Sequence, residues 1–547
     1  MDSQMQSATQ TIPHTRDEGN SAVEIEDVTR DTSITPREPD QFNGLRRVPD
    51  RLPFVAILII IVELGERFVY FGLSGPMQNY INNPYDPGSD LPGALGRGQA
   101  IASALGNFFK FWAYASTVLG AIVADQFLGK FKAIIVACFI YICGLIVLVA
   151  TSTEASIKSG AAFGGLVTSM VIIGIGTGGI KANVSPMCAE QYQTTGSFIR
   201  TLKTGERVIV DPVLTMQRIF MWFYWAVNIG ALSPLITVNA EAKVSFWLAY
   251  LIPLIVVIIS TIVFISGSKK YVKLAPKGSP IVDAAKTVMI AIRERGFENA
   301  KPSVLRNKGL EGKHKFASKG RYTDHYVSEI HSGLTACKFF VFLPFYFICW
   351  AQIWNNLISQ AGTMALHGTP NDLLQNLDPI ALIIFIPFLD LIVYPLLRKF
   401  KIDFDPISRI FGGFCLASGS MVYASILQHY IYISPPKSIH VWVQAPAYIL
   451  VAFSEAFVVV TGLEIALRSL ISALFWLTIG IAAAICIGLT PVSQDPYLVW
   501  MYASLAIVGF VAGCAFYFFS RRSSRDMPGL EAREEDGDEE GVEGGKV

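Results

Sequence analysis

The sequence predicts an all-α membrane protein built from two six-helix transmembrane bundles. Of its 547 residues, 52% are hydrophobic and only 16% are charged, which is more apolar and poorer in charge than an average soluble protein. Apolar stretches of about 20 residues, the length that crosses the bilayer core, recur about twelve times. They form two sets of six, separated by a long segment rich in Lys and Arg. The near balance of 44 basic and 43 acidic residues gives no indication of nucleic-acid binding.

The predicted spans divide the chain into five regions. They are a disordered N-terminal tail over residues 1–53, a first six-helix bundle over 54–265, a linker over 266–336, a second six-helix bundle over 337–519 and an acidic tail over 520–547. Lys and Arg concentrate on every second loop, and these alternate loops lie on the same side of the membrane. Examples are the loop with Lys130 and Lys132 and the segment 398–409. Because short cytoplasmic loops carry this excess, both tails and the linker are predicted to face the cytoplasm.

The first predicted span contains charged residues in the motif Glu63-Leu-Gly-Glu66-Arg67-Phe-Val-Tyr70. A charge at a helix centre costs about 2.5–3.5 kcal/mol on insertion, so this face must look inward. Residues four apart share a helix face, so Glu63 is predicted to pair with Arg67. Two carboxylates beside one arginine leave a surplus acid that can titrate. The alternative is an ion pair that only holds helices together.

Three further charges fall where lipid disfavours them. Lys181 follows repeated glycines in span four, Glu455 lies deep in span ten, and Asp378 opens span eight. We interpret Lys181 and Glu455 as functional, with a structural ion pair as the alternative; for Asp378 a solvated helix cap is equally open. All seven histidines lie in tails, loops or span ends, so carboxylates must carry any coupled protons. The cysteines in apolar stretches lack metal-ligand spacing, and no metal site is predicted.

The charges of the two predicted bundles are complementary to a zwitterion. Arg67 and Lys181 in the first bundle would bind a carboxylate, and Glu455 in the second would bind an ammonium group. A short peptide carries these two groups at its ends. The side chains predicted to bind its backbone or line the same cavity are Asn228, Gln352, Asn356 and the aromatic Tyr70.

Several motifs follow one another in a fixed order through nearly all spans. They are Glu63–Gly72, Gly120–Lys130 at the second loop, Phe223–Gly230 in span five, Asn355–Gly362 in span seven, and Phe453–Glu455 with Thr461–Glu464 in span ten. In this order they resemble the proton-dependent oligopeptide transporter family of the major facilitator superfamily, most closely its fungal di- and tripeptide permeases. The resemblance implies the major facilitator fold.

The resemblance also implies symport of protons with di- and tripeptides by alternating access, in a plasma-membrane protein that acts as a monomer without a cofactor. It assigns Glu63, Glu66 and Arg67 to proton coupling, Lys181 and Glu455 to the substrate, and Asp125 and Lys130 to a cytoplasmic gate. The expected partners are therefore peptides, protons and the lipid bilayer.

Three positions depart from the family pattern. Ala351 and Gln352 stand where many relatives have a glutamate that pairs with the span-one arginine, and Asp378 stands where relatives usually have asparagine. After Glu464 the chain runs through Arg468 straight into span eleven, leaving a turn of about two or three residues, the shortest that an antiparallel helix pair accepts. We interpret this as a short deletion that impairs folding or transport; equal peptide uptake after the loop is restored would contradict it.

Rival functions remain open at the level of sequence. A transporter of another solute, such as nitrate or a secondary metabolite, would use the same fold, and competition by dipeptides would distinguish it. A non-transporting peptide receptor that signals through its tails predicts binding without accumulation. A membrane-embedded enzyme is disfavoured, because no Ser-His, Cys-His, metal-ligand or phosphate-binding pattern is present.

Overall fold

The structure, a computed structural model, is mostly helical and describes residues 45–525 except 87, 90, 195, 203–204, 277, 310–321, 394–395, 397–404 and 466–468. The helices of the first half are α1 (Phe54–Asn82), α2 (Gln99–Val123), α3 (Lys130–Thr151), α4 (Glu154–Lys158), α5 (Ala161–Ala189), α6 (Pro212–Ala231), α7 (Pro234–Lys243) and α8 (Phe246–Ser266). They are followed by α9 (Pro280–Arg293), α10 (Pro302–Asn307), α11 (Asp324–Ala336), α12 (Leu343–Trp350), α13 (Asn356–Gly362), α14 (Leu377–Phe388), α15 (Pro406–Ile433), α16 (Ala445–Ile465), α17 (Ser469–Gly488) and α18 (Leu498–Arg525). Shorter 3-10 or π-helical segments include Ala124–Leu128, Cys337–Phe342, Ala351–Trp354, Leu373–Asn376, Leu389–Val393 and Val441–Gln444.

The helices occupy the predicted membrane spans. Nine helical stretches among the described residues are long and apolar enough to cross a membrane, and two shorter apolar helices, Leu373–Phe388 and Leu474–Gly488, fill the positions of spans eight and eleven. Helix α1 fills the position of span one, and its apolar part holds Glu63, Glu66 and Arg67. The structure is therefore compatible with two six-helix bundles.

Helix α1 is the most enclosed helix of the first bundle. It packs against α2, α5, α6, α7 and α8, and most of its residues are buried, including Ile59 and Tyr80. The second bundle has its own core, in which α15 packs between α16 and α18. A helix enclosed in this way cannot turn a charge toward water, so the charges of α1 must find partners or face an internal cavity.

Close packing of α2 on α5 depends on glycine. A Cβ atom at Gly120 would lie 2.7 Å from the carbonyl oxygen of Gly178 and 2.7 Å from the Cα of Gly179. Both contacts are with backbone atoms, so no side-chain rotation can relieve them. The absence of side chains lets the two helices approach closely, as small residues commonly do in membrane bundles.

Gly120→Val is therefore expected to destabilise the first bundle, by about 3 kcal/mol or more given typical overpacking costs. The measurement is the thermal unfolding of the detergent-purified protein and its yield at the membrane. Gly164→Val is the matched control, because a Cβ at Gly164 in α5 meets no atom within 4 Å. Equal stability of the two variants would contradict the packing argument.

The prediction of a disordered tail up to residue 53 is wrong for residues 45–53. Strand β1 (Arg47–Val48) pairs in parallel with β3 (Arg207–Val210), which pairs antiparallel with β2 (Phe198–Thr201). Ion pairs reinforce the sheet, with Arg200 Nη1 2.6 Å from Asp50 Oδ1 and Arg46 Nε 3.2 Å from Glu206 Oε1. Residues 1–44 lie outside the described part of the chain.

The predicted linker over 266–336 contains helices of its own. Helices α9, α10 and α11 surround a small apolar core that includes Ile290, Leu305 and Val327. Further along, α16 ends at Ile465 and α17 begins at Ser469. The predicted short connector falls on residues 466–468, which lie outside the described residues, so the proposed deletion stays a prediction.

Candidate functional site

The charged cluster of α1 is formed by Glu63, Glu66 and Arg67, each at most 6% exposed. Arg67 Nε lies 3.1 Å from Glu63 Oε1, which confirms the pairing predicted from the four-residue spacing. Arg67 Nη2 also forms an ion pair with Glu66 Oε2. Neither Glu66 oxygen has a well-aligned hydrogen bond among the described residues. The cluster thus pairs one guanidinium with two carboxylates in a buried position, where an uncompensated charge is costly.

Lys181 lies beside this cluster on α5. Its Nζ is 3.8 Å from the ring centre of Tyr114, 5.1 Å from that of Trp476 and 5.9 Å from that of Tyr70. Within the described part of the chain it forms no ion pair, although it lies within electrostatic reach of Glu63, Glu66 and Arg67. Aromatic faces attract a cation but do not neutralise it, so Lys181 remains able to bind an anion.

A cavity lies between the bundles. It is lined by Arg67, Tyr70, Phe71 and Ser74 of α1, Lys110 and Tyr114 of α2, Trp350 of α12, and Trp354. Arg67 and Tyr70, two of the predicted substrate-binding residues, are thus brought together at its wall. Lys110, Ser74, Trp350 and Trp354 were not predicted. The signal for Lys110 was available, because it is a cation within the second predicted span, where the same insertion cost applies as to Lys181.

Glu455 of α16 joins the cavity through a tryptophan. Trp350 Nε1 donates a hydrogen bond of 2.7 Å to Glu455 Oε2, and the Trp350 ring forms part of the cavity wall. Asp378 lies within electrostatic reach of Glu455. It is 4% exposed and forms no helix cap, so the solvated-cap interpretation of Asp378 is wrong. The second bundle therefore connects Glu455 to the cavity wall through Trp350 and places the buried Asp378 near Glu455.

The three predicted backbone-binding amides are not among the cavity-lining residues. Asn228 donates to a carbonyl of its own helix, at 2.8 Å. Gln352 Nε2 likewise donates to the carbonyl of Ile348, at 2.8 Å, and Gln352 Oε1 accepts from Asn356 Nδ2 at 2.6 Å. Asn356 Oδ1 accepts from Gln99 of α2, at 3.1 Å. Gln352 and Asn356 thus take part in a contact between the bundles.

Hydrogen bonds between the bundles close the cavity toward the Asn82 end of α1, which we term the external end after the predicted orientation. Asn79 and Asn371 exchange two side-chain hydrogen bonds, of 2.8 and 2.9 Å. Further contacts of this set join Gln78 to Ser359 at 3.0 Å and Asn355 to Asn107 at 3.1 Å. Asn79 Nδ2 also donates to Oε1 of the buried Glu241 at 3.1 Å, so a carboxyl group of the first bundle supports the amide pair at this end.

The predicted gate residues lie at the opposite end of the first bundle. Asp125 is in the π-helical turn Ala124–Leu128, and Gly129, with φ of +74°, adopts the left-handed conformation that redirects the chain into α3. Lys130 forms an ion pair with Glu190 just after α5. The structure therefore brings Asp125 and Lys130 to one end, where the ion-pair partner of Lys130 is Glu190.

The protein has two helical bundles with a charged cavity between them, and hydrogen bonds between the bundles close one end of this cavity. This is the architecture of a multi-pass membrane transporter. The POT family sequence profile matches residues 131–513. The "Probable peptide transporter ptr2" of Schizosaccharomyces pombe is 41% identical over 92% of this chain and 84% of its own length. "Peptide transporter PTR2" of Saccharomyces cerevisiae is 38% identical over 91% and 84%. The chain belongs to the POT family, a family of transporters.

A solved structure supports the same fold. The crystal structure of an auto-inhibited POT family peptide transporter superimposes with a TM-score of 0.67 over 86% of this chain and 97% of that one, at 20% sequence identity. The sequence-based expectation of the major facilitator fold is thereby confirmed.

Proposed function

We propose that this protein imports di- and tripeptides together with protons across the plasma membrane, by exposing the central cavity alternately to the two sides. Peptide transport by the relatives named above supports the choice of cargo. The observation that carries the proposal is the position of Arg67, which is held by two buried carboxylates and at the same time lines the cavity.

Substrate binding follows from the charges around the cavity. Arg67, with Lys181 beside it, provides the site for the peptide carboxylate. Glu455, linked to the wall through Trp350, provides the site for the ammonium group. A zwitterion satisfies both ends at once, whereas a simple anion such as nitrate would bring no cationic partner for Glu455.

Proton coupling follows from the surplus charge of the α1 cluster. When both carboxylates are ionised, Arg67 is held by Glu63 and Glu66. When one of the two carboxylates takes up a proton, the guanidinium is less strongly held, so it can bind the peptide carboxylate. Proton uptake and peptide binding then favour each other, which is the requirement for coupled transport.

Alternating access requires the closure at the external end to open, and Asn79 with Asn371 would separate in that step. Lys130, Glu190 and Asp125 would control the cytoplasmic end.

We propose that both termini face the cytoplasm, that the protein acts as a monomer, and that no cofactor or catalytic step takes part, protons being the coupling ion.

The test is uptake of a labelled dipeptide into proteoliposomes containing the purified protein, with and without an inward acid gradient. Accumulation that requires the gradient is expected. Binding without accumulation would contradict the proposal and favour a receptor, and the absence of dipeptide binding would point to another cargo. Empty liposomes with the same gradient serve as the control.

A further inference from the structure

Lys110 is a buried cation in the cavity wall that the proposed function does not use. It lies on α2, is 7% exposed and lines the same cavity as Arg67. Its ammonium group has no hydrogen-bond or ion-pair partner among the described residues. The ring centre of Trp354, in the second bundle, lies 5.3 Å from Nζ.

The two cavity-lining cations differ in how their charge is compensated. Arg67 has two carboxylate partners, whereas Lys110 faces the ring of Trp354, which offsets the loss of hydration in part, and lies within electrostatic reach of the Cys486 thiol. A buried ammonium group without an anion is costly, and the cost is recovered when an anion enters the site. Lys110 is therefore prepared to bind an anionic group of whatever occupies the cavity.

We propose that Lys110 binds the side-chain carboxylate of acidic peptides and so makes dipeptides that contain Asp or Glu preferred substrates. This inference rests on the proposed function. In the proposed function, Arg67 and Lys181 bind the main-chain carboxylate of a peptide, and Glu455 binds its ammonium group. An acidic side chain is the remaining charge that a short peptide can bring.

Among the groups around Lys110, its ammonium group is the one suited to bind that carboxylate strongly. Phe71 and Trp354 provide apolar walls. The Ser74 hydroxyl donates to the carbonyl of Tyr70 in its own helix, at 2.7 Å. Because Lys110 belongs to the first bundle and Trp354 to the second, the side chain of the peptide would lie where the bundles meet.

The test compares a pair of near-isosteric competitors, Ala-Glu and Ala-Gln, for inhibition of labelled Ala-Ala uptake into proteoliposomes at one fixed acid gradient. In the wild type, Ala-Glu is expected to compete about tenfold better or more, the effect of one charge-assisted hydrogen bond. In Lys110→Gln the ratio of the two inhibition constants is expected to fall to near unity. Lys110→Arg, which keeps the charge, should retain most of the preference. Lys158→Gln is the exposed control.

The readout is the ratio within each variant, so a general change in transport rate does not affect it. A wild type that does not distinguish the two competitors would overturn the inference without any substitution, even if Lys110→Gln failed to fold. Equal weakening of both competitors in Lys110→Gln would also overturn it, because Lys110 would then act on the main chain or on the fold. Failure of the wild type to take up Ala-Ala would overturn the proposed function itself, and is thus distinguishable.

Discussion

Glu66→Gln is expected to abolish the accumulation of peptide that an acid gradient drives. The substitution keeps the size of the side chain but removes the surplus charge of the α1 cluster, and Arg67 keeps its ion pair with Glu63 at 3.1 Å. With Glu66 as the coupling acid, its replacement leaves the gradient unable to bias peptide binding. Uptake under the gradient should therefore fall to the level measured without a gradient. Exchange of peptide for peptide, which needs no net proton movement, should persist.

The measurement is net uptake of a labelled dipeptide under an inward acid gradient, set beside counterflow exchange in the same proteoliposomes. Glu154→Gln is the matched control, because Glu154 pairs with Lys158 on the exposed helix α4. Full gradient-driven accumulation by Glu66→Gln would show that Glu66 is not the coupling acid. In that case Glu63→Gln becomes the decisive variant, since Glu63 is the other carboxylate on Arg67.

The local part of this site could be predicted from the sequence. The four-residue spacing of Glu63 and Arg67 fixes their contact once the segment is helical, because residues one turn apart share a face. Glu455 lies in an apolar span, and the cost of burying a charge predicts that it faces the interior of the protein. Both arguments depend only on helix geometry and on the membrane, which the composition already indicates.

Contacts between distant segments could not be predicted in this way. Asn79 and Asn371 meet across the two bundles, and the pairing of Arg47 with Ile209 orders residues that composition assigns to a disordered tail. The sequence places Gln352 on span seven. It does not predict that Gln352 bonds to the neighbouring amide of Asn356 and does not line the cavity. The burial of Asp378 likewise depends on how the second bundle packs around the start of α14. Such contacts depend on the arrangement of whole bundles, which helix periodicity does not specify.

Glu455→Gln is expected to remove the preference of the site for a free amino terminus. In the wild type, a dipeptide with a free ammonium group should bind much better than its N-acetylated form. Truncating one side of a buried charge pair costs about 2–5 kcal/mol, so KM for the free dipeptide should rise by about thirtyfold or more. The N-acetylated dipeptide has no ammonium group, and its KM should change little. The two ligands and two proteins form a thermodynamic cycle that isolates the interaction of the ammonium group with Glu455.

Trp350→Phe distinguishes the contribution of the Glu455 charge from that of the hydrogen bond between Trp350 and Glu455. It removes the Nε1 donor that lies 2.7 Å from Glu455 Oε2 but keeps an aromatic wall. A smaller effect than that of Glu455→Gln is expected, because the carboxylate remains. If N-acetylation were penalised equally in the wild type and in Glu455→Gln, the ammonium group would bind elsewhere. Asp378, buried and within electrostatic reach of Glu455, would then be the carboxyl group to replace next.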